Sequence, residues 1–155
     1  MEVKDHTQLV GAIVTNLQAL ETVLRYFLMD PIERAIQFPK GGDTEATETG
    51  LTNYTFLGTL VDDFNSSLKE EEQKFKVDRQ VVDIRDAFAH GRLLASEQKP
   101  PYRLWKFGHP KDGRVPIEFS EELTVEWLTR TRNMIDAQRQ KVVDCFNARG
   151  YKGLR

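Results

Sequence analysis

Arg85-Asp86-Ala87-Phe88-Ala89-His90-Gly91-Arg92 is the one stretch whose residue types and spacing add up to chemistry. An arginine presents a flat fork of donors that matches phosphate oxygens. A histidine at the end of a helix is a candidate proton carrier. Asp86 precedes His90 by four residues, so the two share a helical face, and a carboxylate there fixes the ring's tautomer. On a helical wheel Arg85 falls inside an apolar arc, between Val81 and Ala89, beside a stripe of Val77, Val81, Ile84 and Phe88. A guanidinium in such an arc is costly to bury without an opposite charge. Glu21 has the complementary position, inside the apolar arc of the first helix among Val14, Leu17, Leu24 and Leu28. Three readings stand. Arg85 snorkels to water along its stem, it pairs with Glu21 and fixes packing, or it is held by a carboxylate and aimed at an anion. Arg85 and His90 lie about 140° apart on an ideal helix. They converge only if the last turn unwinds at Gly91 or if a site is assembled from two copies of the chain.

A second group lies downstream. Tyr102, Trp105 and Phe107 alternate with Arg103 and Lys106, and His109, Lys111 and Arg114 follow. Aromatic and basic residues in this mixture suit unpaired bases and phosphates. Strand alternation puts Arg103, Trp105 and Phe107 on one face and Tyr102, Leu104 and Lys106 on the other; the competing reading is that these rings pack on the rest of the fold. Arg92, Arg103, Trp105 and Lys106 are the substrate-binding candidates. Arg132 and Arg139 share one side of the last helix, where ion pairs along the helix surface are the simpler account. His6, His90 and His109 stand far apart, and no Cys-x-x-Cys or His-x-x-x-His spacing occurs, so no metal is expected. No phosphate-cradling glycine motif is present either, and no cofactor is expected. Cys145, the lone cysteine, reads as a small packed hydrophobe, and a reducing compartment is the default.

The chain has 155 residues and a net charge of −2, unevenly spread. Residues 1–72 carry 5 Lys/Arg against 13 Asp/Glu; residues 73–115 carry 10 against 5. A protein that coats nucleic acid is usually basic overall. This one offers at most a local basic centre. The first apolar stretch is interrupted by Thr15, Asn16, Gln18 and Glu21, too polar for a membrane span or a secretory leader. That leaves the cytoplasm as the expected location.

The elements that must position these residues read as follows. Leu9, Ile13, Leu17, Leu20, Leu24 and Phe27 predict a first helix from about Asp5 to Met29. Residues 39–53 are polar and rich in Gly and Thr, and are expected to form a mobile loop. Leu57, Leu60, Val61, Phe64 and Leu68 predict a second helix over 54–72, with Lys69-Glu70-Glu71-Glu72 as its solvated end. A third helix over 78–90 ends at Gly91, expected in the left-handed conformation. Residues 102–107 and 114–119 form a hairpin, with Pro116 restricting its second strand. Ser120 caps a last helix running to about Ala148. The expected fold is all-α, a single domain over 1–155: a four- to five-helix bundle with a β-hairpin over 102–119 inserted before the last helix.

Arg85-Asp86-x-x-x-His90, late in an interior helix and followed by Gly91, resembles the signature of the HEPN superfamily, small helical bundles that commonly dimerise. The long first helix carrying Leu20-Glu21 is similar to that family too; the hairpin is not a general family feature. The resemblance implies a metal-independent endoribonuclease of the kind found in toxin–antitoxin pairs, in phage defence and in RNA processing. His90 would act as general base or acid on the ribose 2′-hydroxyl, Arg85 would stabilise the phosphate and Asp86 would orient the histidine. The product would be a 2′,3′-cyclic phosphate, and the partners a second copy, RNA and an antitoxin protein. RNA carries its own nucleophile, so a proton carrier and a cation suffice, and two copies supply both base and acid. The alternative is a non-catalytic HEPN-like module for nucleotide binding, protein binding or dimerisation.

Overall fold

Ile13, Leu17, Leu20, Leu24 and Phe27 are all buried on one side of α1 (Val3–Leu28), the face their spacing predicts. The structure is a computed structural model; it describes residues 3–36, 39–94 and 100–151. After α1, Asp30 caps the short α2 (Pro31–Arg34) by accepting from the amides of Ile32 and Glu33. Then come α3 (Leu57–Ser67), a 3₁₀ helix (Glu70–Phe75), α4 (Gln80–His90), strands β1 (Arg92–Leu94), β2 (Arg103–Phe107) and β3 (Ile117–Glu122), and α5 (Val125–Ala148).

The expected all-α bundle is corrected here. The chain is 57% helical and also carries a three-stranded antiparallel sheet in the order β1-β2-β3, a mixed helix-and-sheet fold. The hairpin is present as β2 and β3. Its tip is the pair Asp112 and Gly113, at φ 52° and 74°, the two positive-φ positions that a tight hairpin turn needs. β3 continues through Ser120, Glu121 and Glu122, so Ser120 pairs with Trp105 instead of capping α5. The cap is Thr124, whose hydroxyl accepts from the Trp127 amide at 3.1 Å.

The chain divides into two compact units. The first comprises Met1–Gln18 and Arg79–Ala137. Its core is built from Ile13, Val81, Ile84, Ala87, Leu104, Leu123, Leu128 and Ile135, with Trp127 between the rings of Phe88 and Phe119. His6 is buried there, edge-on to Tyr102 at 4.9 Å, and its Nε2 has no partner among the described residues. Burial pushes the imidazole below its ordinary value, against a weaker upward pull from its hydrogen bond to the Leu123 backbone.

The second unit comprises Ala19–Asp78 and Gln138–Arg155. Phe27 and Phe64 meet edge to face at 4.8 Å, and Phe146 and Val142 complete the core with Leu57, Leu60 and Val61. Cys145 is fully buried in it, and burial pushes the thiol up. Glu72, expected at a solvated helix end, is instead buried. Arg149 grips its carboxylate with two nitrogens at 2.7 and 2.9 Å, and the Lys69 amide donates at 2.9 Å. The Arg149 hydrogen bonds, with the Lys69 amide second, hold the Glu72 carboxyl at about 2.

Both groups make the fold acid-sensitive, in separate windows. His6 is harder to protonate folded than unfolded, so the unfolded chain takes up the proton first and stability falls as pH drops below about 6.5. Glu72 has a lowered folded pKa, so its contribution is complete above about 4.5 and disappears towards 2. Denaturant midpoints measured from pH 8 to 3 are expected to decline in both windows. His6→Phe should flatten the upper decline and leave the lower one; an unchanged upper decline in that variant would refute the assignment.

Candidate functional site

α4 delivers the sequence-predicted residues to its rim and its end. Val81, Ile84 and Ala87 take the inward face. Arg85 and Asp86 therefore lie on the flank, each side chain about one-third exposed (33% and 34%). The Nη1 of Arg85 donates to Oδ1 of Asp86 at 3.0 Å, and among the described residues its other nitrogens make no hydrogen bond. The other oxygen of Asp86 faces the Lys106 ammonium at 4.0 Å, and Lys106 in turn meets Glu118 at 3.0 Å. The Glu118 carboxylate raises the Lys106 ammonium above its ordinary value. A row of alternating charge thus runs from α4 across β2 to β3. Lys106 is part of this row, not a free cation.

His90 is the last residue of α4, exposed and without a hydrogen bond among the described residues. Asp86 is turned to Arg85 and Lys106, and no bond joins it to His90 among the described residues. α4 keeps its helical course through His90, so the last turn does not unwind to bring His90 round to Arg85.

Gly91 is not in the left-handed conformation. It is extended, at φ −76° and ψ 174°. Its role is space. A Cβ there would run into the Ala87 carbonyl oxygen and stand 2.7 Å from Leu104 Cδ1 and 3.0 Å from the Trp105 carbonyl oxygen. The missing side chain lets the end of α4 lie directly on β2 and β1 begin at the next residue.

Glu21, the residue expected to partner Arg85, is engaged by Arg25. The Arg25 guanidinium bonds Glu21 at 2.7 and 3.1 Å, and also reaches the Asn53 side chain and the carbonyls of Gly50, Asn53 and Thr55. Sequence reading passed over Arg25, although a glutamate four residues before an arginine is the favoured order for a helical ion pair. Arg25 borders a cavity of about 460 Å³ whose other polar walls include Glu33, Glu48 and Asp63. Every nitrogen of Arg25 is already bonded, so the cavity holds no cation ready for an anion.

The remaining candidates fall on the sheet. β2 pairs Arg92 with Trp105, Leu93 with Leu104 and Leu94 with Arg103. Leu104 is buried and Lys106 bonds inward, so Arg103, Trp105 and Phe107 take the opposite face, as alternation predicts. Trp105 and Phe107 lie 14° from parallel with centroids 6.0 Å apart. The Arg92 guanidinium stands 5.6 Å from the Phe107 ring, and that of Arg103 6.0 Å from Trp105. Arg103 also donates to the Ser120 hydroxyl. Arg132 bonds its neighbour Asn133.

Among the described residues no group of three or more His, Cys, Asp or Glu side chains is placed to hold a metal ion. No helix among them is long and apolar enough to cross a membrane. No protein-family model, curated protein or solved structure matches this chain.

Proposed function

We propose that the protein is a metal-independent endoribonuclease of the HEPN type, acting in the cytoplasm, with Arg85 and His90 at a site completed by a second copy of the chain. The observation that carries this reading is the state of Arg85. Among the described residues its partly exposed guanidinium is held through one nitrogen only, on the same helix that ends in an exposed His90 with no hydrogen bond among them. A guanidinium fully neutralised in a dry interior would have nothing left for a phosphate. The regular course of α4 through His90 supports the two-copy site, because neither copy alone turns both groups to one side.

In this mechanism one imidazole takes the proton of a ribose 2′-hydroxyl. The oxygen attacks the adjacent phosphorus, and the bond to the 5′-oxygen breaks. The imidazolium of the second copy gives that oxygen its proton. Arg85 carries the charge that gathers on the non-bridging oxygens. The products are a 2′,3′-cyclic phosphate and a free 5′-hydroxyl, with no net consumption of water.

The test is cleavage of an unstructured RNA in the presence of a chelator, with the ends of the products identified. Cyclic phosphate ends are expected, and a 2′-O-methyl group at the cut should block the reaction. A requirement for divalent metal, or cleavage of the methylated strand, would overturn the mechanism.

One observation favours the non-catalytic reading. Asp86 is engaged by Arg85 and Lys106, so among the described residues no carboxylate orients His90. That reading predicts nucleotide or partner binding without turnover.

A further inference from the structure

We propose that the outer face of the sheet is a stacking platform for unpaired RNA bases, with Trp105 and Phe107 as the platform and Arg92 and Arg103 as the groups that hold the flanking phosphates. The choice of RNA over other single-stranded polyanions rests on the ribonuclease reading.

The two faces of the sheet have opposite characters. The inner one is used by the fold: Leu104 is 2% exposed, Phe119 meets Trp127 of α5 edge-on, and Lys106 joins the charge row from α4. The outer one carries two aromatic rings on alternate residues of β2, both partly exposed, in nearly parallel planes. Every base has a flat π face, so rings spaced along a strand accept successive bases whatever their sequence.

The cations flank these rings. Arg92 and Arg103 are both exposed, and each guanidinium sits about 6 Å or less from a ring, the outer range of cation–π contact. Each lies over a ring at the edge of contact range, where an arriving base or phosphate would draw it aside. Among the described residues neither arginine forms an ion pair. Glu122 lies opposite Arg103 in the strand register, yet the bond Arg103 makes is to the neutral Ser120 hydroxyl at 3.2 Å. No carboxylate among the described residues takes either charge from a phosphate.

The occupant follows from this pairing of types. An apolar protein partner would strip water from two guanidinium groups and return nothing. A duplex keeps its base faces stacked away from a flat surface, whereas a single strand offers faces and phosphates together. The platform is joined along the chain to the proposed reacting group, since Arg92 follows His90 by two residues. Gly91, between His90 and Arg92, packs against the backbone of Trp105 itself.

The test is binding of a fluorescently labelled, unstructured RNA octamer, followed by anisotropy, in a His90→Ala background so that no strand is cut. Trp105→Ala and Phe107→Ala should each weaken binding roughly 5- to 150-fold, the range for losing one stacked base. Trp105→Phe should restore most of it, which a misfolded variant would not. Arg92→Gln with Arg103→Gln should lower the salt dependence of binding, and a hairpin duplex of equal length should bind weakly. Octamer binding unchanged by both alanine variants, or equal affinity for the duplex, would overturn the platform. The ribonuclease reading fails separately: octamer bound and sensitive to Trp105→Ala, but never cut by the parent protein, refutes cleavage and leaves the platform standing.

Discussion

His90→Ala is expected to fold as the parent does and to lose RNA cleavage by about 10²- to 10⁴-fold, the usual contribution of a positioned acid–base group. The fold should be indifferent because the ring is exposed at the last residue of α4 and makes no hydrogen bond among the described residues. Alanine is also the better helix former. The measurement is paired: thermal unfolding of both proteins, and single-turnover cleavage of one RNA. Coincident melting with lost cleavage supports the assignment. Cleavage retained within a few-fold would remove His90 from the chemistry, and the endoribonuclease reading with it.

Gly91→Ala is expected to be the costliest single methyl group added near this site. The glycine's φ of −76° suits any residue, so backbone strain plays no part. What forbids a side chain is the crowd around it. The Leu104 methyl can rotate away, but the Ala87 and Trp105 carbonyl oxygens belong to backbone. The Ala87 oxygen also accepts the Gly91 amide at 2.8 Å, the bond that closes α4. Relief requires moving the helix end off β2, at about 3 kcal/mol, towards the upper range for overpacking. In a chain of this size that lowers the melting temperature by on the order of 10 °C. A Gly91→Ala protein as stable as the parent would show that the junction has slack.

Much of the helical framework was legible because it is local. The stripe from Ile13 to Phe27 and the cluster Leu57, Leu60, Val61 and Phe64 are buried where a 3.6-residue period puts them. The sheet was half legible. Alternation and an Asp-Gly tip announce β2 and its partner, but Arg92-Leu93-Leu94 is too short to show a period of its own. Ser120-Glu121-Glu122 carries the local signature of a helix start, and pairing with β2 overrides it. Glu72 was illegible for a different reason: its partner, Arg149, is 77 residues away, and no spacing rule reaches that far. At the candidate site, types and order were readable. The partner choice of Asp86, which depends on β2 lying beside α4, was not.

Arg25 has a consequence that reaches past its own hydrogen bonds. One side chain ties the chain from Gly50 to Thr55 onto α1, and on that stretch and the next residue Tyr54 is 96% and Phe56 75% exposed. Two large rings on a floppy tether would collapse onto the nearest greasy surface; mounted on a rigid bracket, they stay out. A well-connected cation thus anchors the segment from which a pair of aromatic side chains stands out.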